Sequence, residues 1–69
     1  MPVSCNIVFD VLRALAMGEA VELPIRELAE MCRLSYAQTR RALRRLEGAH
    51  LITWQRCGPG RGHRSVFQV

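Results

Sequence analysis

The sequence predicts a mainly α, α+β domain in which three helices precede a β-hairpin, in the order αβααββ. Three observations carry that expectation. Apolar residues recur at helical spacing in three separate blocks, Ser35 and Gln38 together spell a helix start, and a Gly- and Pro-rich segment at 57–63 separates two β-prone runs. At 69 residues the chain has room for one domain, spanning 1–69, and for a small core whose stability benefits from a partner or ligand.

Ser4 is placed to cap the first helix, whose apolar positions Ile7, Val8, Val11, Leu12 and Leu15 fall within about 140° of one another at 100° per residue. Gly18 marks its end. Phe9 and Ala16 project from another face, so Phe9 either meets a partner or lies under a neighbouring loop. Residues 20–23 are predicted as a short strand, and Pro24 favours the start of a second helix over 25–32. There Ile25, Leu28, Ala29 and Cys32 form the inner stripe, with Glu27 and Glu30 outside. After a tight connection at Arg33 and Leu34, Ser35 opens a third helix that runs to about residue 49. It divides cleanly: Thr39, Ala42, Leu43 and Leu46 share one face, and Tyr36, Ala37, Arg40, Arg41 and Arg44 the opposite one, flanked by Gln38 and Arg45. Residues 51–56 and 66–69 are predicted as the hairpin strands. Trp54 shares a face with Ile52 and Arg56, and two readings of it stay open: core residue, or dimer contact together with Phe9.

All ten basic residues are Arg, and their placement is lopsided. Residues 1–32 hold two Arg against five carboxylates, whereas residues 33–69 hold eight Arg against Glu47 alone. One side of the domain is therefore expected to face a polyanion. No apolar run approaches the roughly 18 residues of a membrane span, and the first residues lack a signal-peptide pattern, which predicts a cytoplasmic protein that joins the nucleoid when bound to DNA. Three cysteines without a C-x-x-C pair indicate neither a disulfide framework nor a zinc ribbon, and no cofactor or small-molecule effector site is evident.

Two short helices joined by a turn at about 25–49, the second basic on its outer face, spell a helix-turn-helix, and the hairpin at about 51–69 supplies a wing. The stretch from Leu23 to Val69 resembles the winged helix-turn-helix domains of GntR-type bacterial regulators. The resemblance rests on Arg26-Glu27-Leu28-Ala29, Leu34-Ser35, Arg41-Ala42-Leu43-Arg44-Arg45-Leu46-Glu47, Leu51-Ile52 and the wing's Gly60-Arg61-Gly62. It implies that the helix opening at Ser35 enters the major groove of DNA and that the Gly-x-Gly segment approaches the minor groove. This chain departs from the family at Thr39, where an aliphatic residue is usual, and at His50, where a Gly usually closes the helix.

The residues agree with that implication. Arg40, Arg41 and Arg44 can each donate two parallel bonds to guanine O6 and N7, and Tyr36 and Ala37 stand at the entering end of the helix, next to Ser35. Gln38 and Arg45 suit the backbone, Arg61 suits a narrow minor groove, and His63 and Arg64 suit the phosphates beside it. The expected function is double-stranded DNA binding by a small repressor, as a homodimer.

Two other classes compete. A thiol or metal sensor would use Cys57 with His50 and His63, and a protein-interaction adaptor in replication, partition or mobile-element control would use the same fold without need of a basic face. An enzyme is not expected, because no nucleophile and base stand at an informative spacing and the Gly-rich segment opens no helix.

Overall fold

Residues 2–56 and 64–69 are described by a computed structural model. Its elements are α1 (Val3–Ala16), β1 (Val21–Leu23), α2 (Ile25–Cys32), α3 (Tyr36–Gly48), β2 (Thr53–Arg56) and β3 (Ser65–Gln68). The strands form one antiparallel sheet in the order β1-β3-β2, so β1 closes the sheet against the last strand of the hairpin. Three helices and this small sheet make a winged-helix α+β fold, as the sequence predicts.

α1 corrects two expectations. Pro2, with no side-chain cap bond, precedes the helix, and Ser4 lies inside its first turn. The buried residues are Cys5, Val8, Leu12 and Ala16, while Leu15 is 41% exposed and Ile7 and Val11 are half-buried. At 100° per residue the buried stripe is rotated by about 70° from the one that the apolar periodicity predicts. Phe9 is half-buried and packed on the core of its own chain, with the Arg13 guanidinium carbon 5.7 Å from its ring centroid.

α2 has the predicted bounds and buries Leu28, Ala29 and Cys32. It ends in a Schellman closure: Arg33 takes the left-handed conformation (φ 56°), its N–H donates to the Glu30 carbonyl at 3.1 Å, and the Leu34 N–H donates to Ala29 at 3.0 Å. α3 closes in the same way. His50 (φ 60°) donates to the Glu47 carbonyl and Leu51 to that of Leu46, each at 3.0 Å. His50 thus adopts the backbone that a Gly would supply, and the helix closes without one.

The hairpin strands are shorter than expected at 51–52 and shifted by one residue at the C-terminal end, with Val69 about half exposed. Trp54 and Phe67 face each other across β2 and β3, 5% and 0% exposed, with ring centroids 6.0 Å apart. Trp54 is therefore a core residue, which corrects its candidacy as a dimer contact. Both rings pack in one cluster with Leu12, Leu28, Leu43 and Leu46, so sheet and helices share a single core.

Candidate nucleic-acid interface

The interface begins with the start of α3. The Gln38 N–H donates to Ser35 Oγ at 3.1 Å, and the Ser35 N–H donates to Gln38 Oε1 at 3.0 Å, a reciprocal capping box. Ser35 and Gln38 thereby set where the helix starts, and Gln38 keeps its amide NH2 for other partners. Thr39, fully buried, donates from Oγ1 to the Ser35 carbonyl at 2.9 Å. That bond satisfies the hydroxyl at the position where an aliphatic residue is usual in the resembling family.

Below this cap, Thr39, Ala42, Leu43 and Leu46 are buried and hold the helix against α1 and α2. The opposite face is open. Tyr36, Ala37, Arg40, Arg41 and Arg44 together line a shallow groove of about 200 Å³, with Tyr36 52% exposed. Gln38 and Arg45 are also exposed, on its flanks. The structure brings together all the α3 residues that the sequence singles out. Among the described residues no carboxylate pairs with any of the α3 arginines, so their charge stays available to an anion.

Arg64 differs from them. Its Nε lies 3.6 Å from Glu22 Oε1, an ion pair made possible by the pairing of β1 with β3. Both side chains are more than half exposed, so water and salt weaken the pair and a phosphate can compete for the arginine. Arg61, His63 and Cys57 lie outside the described residues. Arg56, which the sequence does not single out for DNA contact, has its guanidinium carbon 3.7 Å from the centroid of the Trp54 ring. The available signal was the i, i+2 spacing that puts both residues on one face of β2.

Cys5 and Cys32 are buried, and burial pushes the Cys32 thiol pKa upward, away from the thiolate that redox or metal chemistry requires. No group of three metal-ligating side chains occurs among the described residues. None of their helices is long and apolar enough to cross a membrane.

A helix held by its apolar side, with an arginine face that has no carboxylate partner among the described residues and lies beside a β-hairpin, defines a winged-helix domain of the DNA-binding class. Over residues 6–69 the chain matches the family model described as "Sugar transport-related sRNA regulator N-term", and it belongs to that family. The family is the N-terminal winged-helix DNA-binding domain of a transcription regulator, so the role of this domain is to bind DNA in transcription regulation. No curated protein and no solved structure matches the chain.

Proposed function

We propose that the domain reads double-stranded DNA in a sequence-specific way and represses transcription by occupying promoter DNA in the cytoplasm. The observation that carries this reading is the row of four exposed α3 arginines, Arg40, Arg41, Arg44 and Arg45, with no carboxylate partner among the described residues. In this reading α3 lies in the major groove. Arg40, Arg41 and Arg44 contact base edges, Tyr36 and Ala37 meet the first bases, and Ser35, Gln38 and Arg45 meet the backbone. Arg61, His63 and Arg64 serve the minor groove or its phosphates, as the GntR-like spelling of the wing implies. One short helix and one wing reach a single half-site, so copies pair on a two-fold or direct-repeat site, with the half-buried Phe9 as a candidate contact.

The test is a salt titration of binding to random-sequence duplex DNA by fluorescence anisotropy, comparing the wild type with Arg40→Ala/Arg44→Ala. If five to seven groups neutralise phosphates, log affinity falls against log salt with a slope of roughly −4.5 to −6. The double variant is expected to bind more weakly at every salt concentration and with a shallower slope. Absence of wild-type binding at low salt overturns the DNA reading.

A further inference from the structure

We infer that Arg56 is a phosphate contact at the base of the wing, positioned by Trp54, and that it contributes more to DNA affinity than Arg64 does. This inference rests on the DNA-binding reading above and adds a residue to it.

The argument starts from the sheet. Trp54 and Arg56 are two residues apart in β2 and share one face, on which Trp54 is buried in the core and Arg56 is exposed beyond it. Trp54 is 5% exposed and stacked on the fully buried Phe67, so its indole is a fixed surface. The Arg56 guanidinium carbon lies 3.7 Å from the centroid of that ring, a distance at which the cation rests on the π face. An arginine so placed has already given up much of the rotamer freedom that binding otherwise costs. Its outer side remains exposed, and no carboxylate pairs with it among the described residues.

Position points to the same use. Arg56 is the last residue of β2, and its cross-strand partner is Ser65. Ser65 lines a cleft together with Tyr36, the first residue of α3, and with Glu27 and Glu30 of α2, so the strand end that carries Arg56 and the entering end of that helix open on the same side of the domain. A duplex that accepts α3 in its major groove therefore brings backbone phosphates past Arg56. Arg64 lies at the same end of the sheet, yet it is paired with Glu22 at 3.6 Å and rests on no aromatic ring among the described residues.

The experiment compares Arg56→Ala, Arg56→Lys, Arg64→Ala and Trp54→Phe with the wild type, using the same salt titration on random duplex DNA and thermal melts of each free protein. Loss of one phosphate contact in Arg56→Ala is expected to reduce the salt slope by about 0.9. Arg56→Lys is expected to restore the slope but not the full affinity, because the ammonium does not stack as a planar guanidinium does. Trp54→Phe keeps the charge and offers a weaker π face, so it is expected to hold the slope while lowering affinity by about two- to fivefold. Arg64→Ala is expected to change the slope less than Arg56→Ala. The inference is overturned if wild-type protein binds and Arg56→Ala leaves slope and affinity unchanged, or lowers affinity equally at all salts. It is also overturned if Arg64→Ala has the larger effect on the slope. Failure of the wild type to bind at all is a different outcome, which removes the DNA reading itself.

Discussion

α1 and α3 are of similar length and both pack one face on the same core, yet only α3 has the rotation that its sequence pattern predicts. In α3 four arginines and Gln38 lie on the outer side, leaving Thr39, Ala42, Leu43 and Leu46 as the only possible inner stripe. The cost of desolvating an arginine decides the matter. α1 carries only Asp10 and Arg13 as charges, which with Asn6 fill one sector of about 60°, and apolar or small residues cover the rest of its circumference. Its rotation is set by tertiary packing against α3, which brings the small Cys5 and Ala16 into the buried stripe with Val8 and Leu12 and leaves Leu15 outside. Charge, more than hydrophobicity, makes a helix legible.

The sharpest way to break that comparison is to truncate two leucines of α1 three residues apart. Leu12 is fully buried, so Leu12→Ala is expected to cost about 2–5 kcal/mol, a large share of the total stability of so small a domain. Leu15, 41% exposed, is expected to cost less than about 1 kcal/mol in Leu15→Ala. Urea denaturation of the two variants decides. Equal losses would mean that α1 is rotated as its apolar periodicity suggests, and the observed packing of Ala16 and Cys5 would be wrong.

The starts of the two helices differ as their faces do. Ser35→Ala removes the acceptor of the Gln38 N–H and breaks the reciprocal box, an expected loss of about 1 kcal/mol. Ser4 caps nothing, since α1 begins after Pro2 without a side-chain cap, so Ser4→Ala is expected to stay within about 0.5 kcal/mol of wild type. A loss in Ser4→Ala as large as that in Ser35→Ala would contradict the observed start of α1.

What could be read from the sequence follows the same physics. The bounds of α2, the cap and both faces of α3, and the existence of a terminal hairpin all rest on local signals within a few residues, and the structure shows each. Pairing of β1 with β3 joins residues more than forty positions apart, and a three-residue strand carries no periodicity from which that partnership can be read. The ion pair of Arg64 with Glu22 was hidden for that reason, because it exists only once β1 lies beside β3. The spacing of Trp54 and Arg56 puts both on one face, but only the pairing of Trp54 with Phe67 shows that the indole is buried and fixed enough to carry the guanidinium. The candidate site was therefore legible where one helix carries it and illegible where two strands meet.

The helix ends sharpen the comparison at its smallest scale. α1, α2 and α3 are all followed by a non-glycine residue in the left-handed region: Met17, Arg33 and His50. A side chain in that conformation costs about 1 kcal/mol or somewhat more, which glycine does not incur. His50→Gly is expected to stabilise the domain by about 0.5–1 kcal/mol, because both Schellman bonds remain and only the Cβ strain is lost. Met17→Gly relieves the same strain, but it places two glycines in succession beside Gly18, which already has φ 88°. The added freedom of the unfolded chain offsets the gain, so the expected effect is smaller, below about 0.5 kcal/mol. Thermal melts of the two variants rank the closures. If His50→Gly destabilises instead, the imidazole makes a contribution that outweighs the backbone strain, and His50 is more than a substitute for glycine at the exit into the hairpin.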